Sequence, residues 1–284
     1  MDAKNTRIAI IYDFDKTLTI KDQQEYTFIP GVGMTAEEFW EKSNGLAKKE
    51  KMDPILAYMH CMINEAKYRN VPITREAFKD HGRNLEYFPG VKDWFERIND
   101  YSKALGADVS HYIISSGLKE IIQGSEIAGN FKEIYACEFY YNSNDVAEWP
   151  KHVVNYTTKT QYLFRINKGA LDLSDANSLN SYIAQEDRPI PFRNMIYIGD
   201  GPTDIPCMKI VKSRGGYSIA VYPDEMPKKE VQNFVVDERV DFIVRANYED
   251  GGDLQDIVQS ILLKMCTEDK LSALTKKQLH EISR

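Results

Sequence analysis

Apolar positions open the chain in one unbroken block, Ile8-Ala9-Ile10-Ile11-Tyr12, which stops at Asp13. A run of strand length with no alternation predicts a strand covered on both faces, as in a parallel sheet. From about residue 21 to residue 88 no strand-like run occurs, and Pro30-Gly31, Gly33, Pro54 and Pro72 divide the stretch into helical pieces. Thr35-Ala36-Glu37-Glu38 has the form of a capping box, with Thr35 as N-cap and Glu38 at N3. Asp53-Pro54 starts a second helix with proline at N1, and Ile55, Tyr58, Met59 and Met62 mark its apolar face. Thr74 followed by Arg75-Glu76-Ala77 starts a third. The pattern therefore predicts an all-helical insert directly after the first strand.

Beyond Pro89-Gly90 the period alternates. Val91, Trp94, Phe95, Ile98 and Leu105 mark an amphipathic helix, His111-Tyr112-Ile113-Ile114 a short strand, and Leu118, Ile121 and Ile122 the next helix. Asn194 to Ile198, Ser218 to Tyr222 and Asp241 to Val244 are further short strands, and Leu254, Ile257, Val258, Ile261, Leu262 and Met265 give a closing helix. Strands alternating with helices imply an α/β fold with a parallel sheet and helices on both faces. One stretch departs from this: Ile134 to Tyr141, the polar Asn142-Ser143-Asn144-Asp145, and Val146 to Trp149 predict a hairpin. Asp172 to Arg188 is polar and poorly periodic and predicts a surface excursion. The residues from about 267, with Leu271, Leu274, Leu279 and Ile282, predict a peripheral helix that could contact a second subunit.

Composition narrows the class. The 284 residues are 43% hydrophobic and 28% charged, which predicts a globular chain with one large core or a core plus a smaller insert. A net charge of -7 with no basic run argues against a nucleic-acid partner. Cys61, Cys137, Cys207 and Cys266 are far apart and form no CxxC pair, so neither a zinc site nor a disulfide framework is expected. The polar start Met1–Arg7 lacks a signal-peptide pattern, and no apolar run is long enough to span a bilayer. A cytoplasmic location away from the membrane is the expectation.

The chemistry gathers at strand ends. The first strand stops at Asp13-Phe14-Asp15, the second at Ser115-Ser116-Gly117, and the third at Gly199-Asp200-Gly201-Pro202-Thr203-Asp204. On a continuing strand Asp13 and Asp15 would share a face. Two carboxylates about 4 Å apart repel by about 4 kcal/mol at an effective dielectric of about 20, so a cation, a shared proton or solvent must relieve the pair. The Asp-x-Asp spacing alone fits a metal site and a solvated strand end equally. Ser-Ser-Gly alone could be only a helix N-cap, and the third cluster only an acidic turn. In an open parallel sheet ligands bind outside the carboxyl ends of the strands, so all three clusters converge on one rim.

With these motifs the sequence resembles the haloacid dehalogenase-like hydrolase superfamily, and within it the phosphoserine-phosphatase-like branch, which carries a helical C1-type cap after the first strand. Asp13-Phe14-Asp15-Lys16-Thr17 matches the first family motif, Ser115 the second and Gly199 to Asp204 the fourth. The resemblance implies a Rossmann-like catalytic core from residues 1–20 and 89–284, with the hairpin near 134–149, and a small cap from residues 21–88. The third motif is a lysine. Lys159 precedes Tyr162-Leu163-Phe164 and would sit at a helix start, whereas Lys168 comes just before Gly169, as a helix-end lysine does. The family lysine starts the helix before the fourth-motif strand, which favours Lys159 and leaves Lys168 as the alternative.

The implied enzyme is a phosphoric monoester hydrolase acting through an aspartyl-phosphate. Asp13 would be the nucleophile and Asp15 the acid/base, with Ser115 and Lys159 holding phosphate oxygens. Mg²⁺ would be held by Asp13, the Asp15 backbone carbonyl, Asp200 and Asp204. Thr17, Asp22, Ser116 and Gly117 would contact substrate, a small phosphorylated metabolite of phosphoserine-like kind. Asp22 stands nine residues after Asp13, where phosphoserine phosphatases carry a Glu that meets the substrate amine; its alternative is a solvated helix-start acid, and Gln23, Gln24 and Glu25 are neighbouring candidates. Phe28, Phe39 and Trp40 either line a pocket or form the core of the insert. Haloacid dehalogenation is disfavoured, because that branch lacks the second Asp. A phosphotransferase of the same fold, or a non-catalytic binding protein, are the alternatives. Oligomeric state is not legible.

Overall fold

The computed structural model describes residues 5–223 and 239–282; the polar residues 1–4 lie outside them. A seven-stranded sheet runs in the order β4-β3-β2-β1-β5-β6-β7. Its strands are β1 (Thr6–Tyr12), β2 (Ala107–Leu118), β3 (Phe131–Tyr141), β4 (Ala147–His152), β5 (Met195–Gly199), β6 (Tyr217–Tyr222) and β7 (Phe242–Arg245). All pairings are parallel except β3 with β4, the expected hairpin. The helices are α1 (Phe28–Gly31), α2 (Ala36–Glu50), α3 (Pro54–Arg69), α4 (Arg75–Gly82), α5 (Val91–Ala104), α6 (Lys119–Gln123), α7 (Lys159–Lys168), α8 (Ala176–Asn180), α9 (Ile205–Ser213) and α10 (Asp253–Ile282). Helices α5 and α10 pack together, as do α7 and α9, so both faces of the sheet are covered. Ile8 to Tyr12 of β1 are completely buried, which is why that strand reads as an unbroken apolar block. Among the described residues no helix is long and apolar enough to cross a membrane.

Helices α1 to α4 all fall between β1 and α5. Thr35 accepts from Glu38 N–H and Glu38 accepts from Thr35 N–H, completing the capping box; Asp53 and Thr74 cap α3 and α4 through their side chains. The insert has its own aromatic core, in which Phe28 meets Phe39 at 6.5 Å and Phe78 at 5.9 Å. Phe78 in turn stacks on Phe139 of β3 at 5.5 Å. Phe28 and Phe39 are thus core residues, while Trp40 reaches Glu25 with its indole N–H at 2.6 Å.

Two local expectations are corrected. The second strand does not end at Ile114 but runs on to Leu118, with a register shift against β3 between Ile114 and Leu118. The residue pattern missed this because two serines and a glycine look like a turn, yet here side chains partner their backbone: Gly117 N–H donates to Ser115 Oγ and Ser116 O accepts from Tyr58 O–H. The residues after 267 are not a separate helix but the second half of the thirty-residue α10.

Beneath β1 lies a buried polar chain. Trp94 Nε1–H donates to Tyr12 Oη at 2.9 Å, Tyr12 O–H donates to His111 Nδ1 at 3.0 Å, and His111 Nε2–H donates to Asn99 Oδ1 at 3.2 Å. The Tyr12 link requires a neutral imidazole with a free Nδ1 lone pair, and burial pushes the His111 pKa down to about 3. The unfolded chain takes up that proton near pH 6.5, so stability falls as pH drops from about 6.5 towards 3. At pH 5 this one group costs about 2 kcal/mol relative to pH 7.5. Urea unfolding of the wild type and His111→Gln across that range should show the wild type losing this extra amount; parallel pH dependences would refute the assignment.

Candidate active site

Strand β1 pairs with β2 on one side and β5 on the other, the point where strand order reverses and an open α/β sheet leaves a crevice. Tyr12 lies opposite both Ile113 and Ile198, so Asp13, Ser115 and Asp200 emerge near one level. Asp13 N–H continues the pairing to Ile198 O at 2.9 Å. The chain then turns tightly: Thr17, Leu18 and Thr19 all direct their N–H groups to Phe14 O, at 3.3, 2.9 and 3.2 Å, with Lys16 in the left-handed region at φ 57°. Because β1 ends at Tyr12, Asp15 belongs to this turn and does not share a strand face with Asp13. The two carboxylates accordingly have different partners.

Asp13 joins Asp200 and Asp204, carboxylate oxygens of all three lying within 4.8 Å of one another. Lys159, the first residue of α7, is buried among them and donates to Asp13 Oδ1 and Asp204 Oδ1, both at 2.8 Å. Asn155 and Thr158 hold the start of that helix reciprocally, at 2.7 and 3.0 Å. Tyr197 O–H adds a second donor to Asp204 Oδ1 at 2.7 Å. Burial alone would lower the lysine pKa, but Asp13 and Asp204 overcome it and raise it, so the ammonium stays charged. Burial lifts the Asp13 carboxyl to about 6 against the pull of Lys159. Burial, then Asp13 and Asp204, lift Asp200 well above the ordinary range. One lysine does not balance three carboxylates, and Asp204 Oδ2 is buried without a partner among the described residues. A cluster of hard oxygen donors with surplus negative charge fits a divalent cation such as Mg²⁺.

Asp15 faces the insert instead. Gln23 donates its backbone N–H to Asp15 Oδ1 at 2.8 Å and its side-chain Nε2–H to Oδ2 at 3.1 Å. Burial raises the Asp15 pKa well above its ordinary value, Asp22 and Asp13 add to the rise, and the two Gln23 donors oppose it. Gly117 makes room for this pair: a Cβ there would lie 1.9 Å from Gln23 Nε2 and 2.6 Å from Asp15 Oδ2. Ser115 is fully buried, and its Oγ accepts from Gly117 N–H at 2.9 Å. Thr17 Oγ1 and Ser116 Oγ are buried with no partner among the described residues, while Tyr58 of α3 donates to Ser116 O at 2.7 Å. Asp22 pairs with Lys16 at 2.5 Å at the mouth of the crevice. Lys168 is elsewhere, donating to Leu179 O and Ser181 O at 2.6 and 2.8 Å, where it ties down the polar excursion.

Sequence reasoning did not single out Tyr197, Tyr58 or Lys16. Tyr197 sits within a strand buried on both faces, so no polarity pattern distinguishes it. Tyr58 carries helical spacing and reads as insert core. Lys16 directly follows the Asp-x-Asp motif, yet its left-handed backbone, which turns it towards Asp22, has no signature such as glycine.

The family model of haloacid dehalogenase-like hydrolases matches residues 10–209. An uncharacterized protein of Borreliella burgdorferi is 28% identical, covering 93% of this chain and 100% of its own. Among solved structures, a HAD family hydrolase from Salmonella enterica serovar Typhi superposes with a TM-score of 0.56 at 19% identity, over 86% of this chain and 68% of that one. A phosphoserine phosphatase captured as a phospho-aspartyl intermediate analogue gives 0.55 at 16% identity, over 90% and 99%. At these identities the structural likeness concerns the fold.

Gly199 gives the cluster a steric test. A Cβ there would lie 2.6 Å from Asp204 Oδ2, whereas a Cβ at Gly201 would meet nothing within 4 Å. Gly199→Ala should lose about 1–3 kcal/mol in urea unfolding through forced displacement of Asp204, and Gly201→Ala should change stability by less than about 1 kcal/mol. Equal effects at the two glycines would contradict the packing of Asp204 against the end of β5.

Proposed function

This chain belongs to the haloacid dehalogenase-like hydrolase family, and from that membership we propose that it is a phosphatase that hydrolyses a small-molecule phosphate monoester through an aspartyl-phosphate on Asp13. The observation that carries the reading is the asymmetry of the two aspartates. Asp13 sits against a charged lysine inside an acidic cluster, and Asp15 sits apart, with its proton affinity raised by burial.

Asp13 attacks phosphorus with a carboxylate oxygen while the bond from phosphorus to the leaving oxygen breaks. Lys159 keeps the nucleophile ionised and offers its charge to the phosphoryl oxygens; the Ser115 hydroxyl, which accepts only from Gly117, donates to one of them. Asp15 gives its proton to the leaving oxygen, and its carboxylate then takes a proton from the water that attacks phosphorus. The acyl-phosphate bond breaks and orthophosphate leaves with Asp13 restored. A carboxyl whose pKa is raised suits the first of these duties at neutral pH. Asp13, the Asp15 carbonyl, Asp200 and Asp204 would hold Mg²⁺, which would neutralise phosphoryl charge. Gly117 and the orphaned hydroxyls of Thr17 and Ser116 line the same crevice and are assigned to substrate.

Residues 21–88 act as the cap that closes the crevice, and residues 1–20 and 89–284 as the catalytic core. The cap chooses the leaving group. Asp22 presents itself as half of an ion pair with Lys16, which favours a leaving group bearing hydroxyl or amine groups over an apolar one.

Two kinetic outcomes test the roles separately. Hydrolysis of p-nitrophenyl phosphate should require Mg²⁺, stop on chelation, and vanish in Asp13→Asn; unchanged turnover in that variant would remove Asp13 as nucleophile. Asp15→Asn should slow cleavage of an alkyl phosphate by roughly 100-fold or more beyond its effect on phosphorylation by p-nitrophenyl phosphate, whose leaving group needs no proton. An equal loss in that step for both substrates would contradict the acid role.

A further inference from the structure

Asp204 stands at the N-cap position of α9, where an aspartate ordinarily accepts from the first free N–H groups of the helix. Its side chain makes no such bond; the carboxylate is fully buried and turned towards the acidic cluster. Two residues of β5 form its seat. Tyr197 and Gly199 are two apart on that strand and so share one face of the sheet. The Tyr197 hydroxyl donates to Asp204 Oδ1 at 2.7 Å, and Gly199, lacking a Cβ, leaves room for Oδ2. Tyr197 is itself completely buried, in a strand paired on both sides with β1 and β6, so packing fixes its ring.

Acceptor capacity gives this seat a consequence. A carboxylate oxygen offers about two acceptor sites. On Asp204 Oδ1 the Lys159 ammonium takes one at 2.8 Å and Tyr197 takes the other. Oδ2 is left over, buried with no partner among the described residues. Asp204 can therefore lend one oxygen to a cation, in one direction. Mg²⁺ demands near-ideal octahedral geometry at short range, whereas Ca²⁺ takes about six to eight oxygens in flexible geometry, bidentate carboxylates among them. We propose that Tyr197 is a positioning residue that holds Asp204 to a single free oxygen and so biases the acidic cluster towards Mg²⁺ and away from Ca²⁺. Without the hydroxyl, Oδ1 keeps only Lys159, and the carboxylate can turn about its Cβ–Cγ bond. A second oxygen then comes within reach of a cation, which suits the larger ion and spoils the geometry for the smaller. Such a role presupposes that Asp13, Asp200 and Asp204 hold a divalent metal, as proposed above.

Metal binding to the full chain without substrate tests it. Bound Mn²⁺, read from its electron paramagnetic resonance signal and displaced by Mg²⁺ or by Ca²⁺, gives a dissociation constant for each ion. Tyr197→Phe should weaken Mg²⁺ binding by about ten-fold or more and Ca²⁺ binding by no more than about two-fold. Gly199→Ala, which crowds the same carboxylate from the other side, should shift the ratio of the two constants in the same direction and carries the test if Tyr197→Phe does not fold. Tyr135→Phe removes an equally buried hydroxyl, bonded to Leu171 O at 3.0 Å and not to the cluster, and should leave both constants unchanged. Asp200→Asn should weaken the binding of both ions severely. A wild type that binds neither ion, or binding that survives Asp200→Asn, overturns the metal site and this role with it. With the metal site intact, an unchanged ratio in Tyr197→Phe overturns the role of Tyr197 alone, whether both constants hold or both weaken equally. The same shift in Tyr135→Phe overturns it too.

Discussion

The ammonium of Lys159, buried between Asp13 and Asp204, is the contact on which the rest of the crevice depends. Without it, three carboxylates within 4.8 Å of one another would have to leave water with no positive partner. Each close pair of such charges costs about 4 kcal/mol at an effective dielectric of about 20. Removing one partner from a buried ion pair typically costs about 3–5 kcal/mol, because the remaining charge is stranded. The lysine therefore relieves the repulsion in part and leaves a deficit of positive charge at the point where a divalent ion and a phosphate would meet.

The sheet explains why these groups can meet at all. Asp13 follows β1, Asp200 follows β5 and Ser115 lies in β2, and parallel pairing brings neighbouring strand ends to one edge. Lys159 comes from a helix on one face of that sheet, and Gln23 from the insert. Asp15 thus senses the insert directly through two hydrogen bonds, while Asp13 senses only the core. That separation is the physical basis for the different duties proposed for two chemically identical side chains.

Much of the fold was legible because burial on both faces leaves an unmistakable trace: unbroken apolar blocks at Ile8–Tyr12 and Met195–Ile198, set between helical periods. The acidic turns were legible because they interrupt those blocks abruptly. Ser115 was located, but the continuation of its strand to Leu118 was not, since a register shift has no residue signature. Lys159 and Lys168 stand at the two ends of one ten-residue helix; Gly169 marks the C-terminal end, and the helix start carries Lys159 to Asp13 and Asp204. Gln23, Tyr197 and Gly199 meet Asp15 or Asp204 across turns of five to eight residues, and Gly117 meets Gln23 from another element; local pattern encodes neither kind of approach. Asp22 looked like a free acid, and its ion pair with Lys16 follows from the left-handed turn at that lysine.

The account's central claim is that Asp13 alone carries the phosphoryl group. Rapid acid quench during turnover, followed by peptide mass mapping, tests it most directly. The account predicts one phosphoryl group on the peptide containing Asp13, fixed to that residue by fragmentation and lost on standing at neutral pH as an acyl phosphate is. A phosphoryl group on another residue, or full-rate turnover by the wild type with no phosphorylated enzyme trapped either there or in the Asp15→Asn variant, whose dephosphorylation should be slowed, would contradict it.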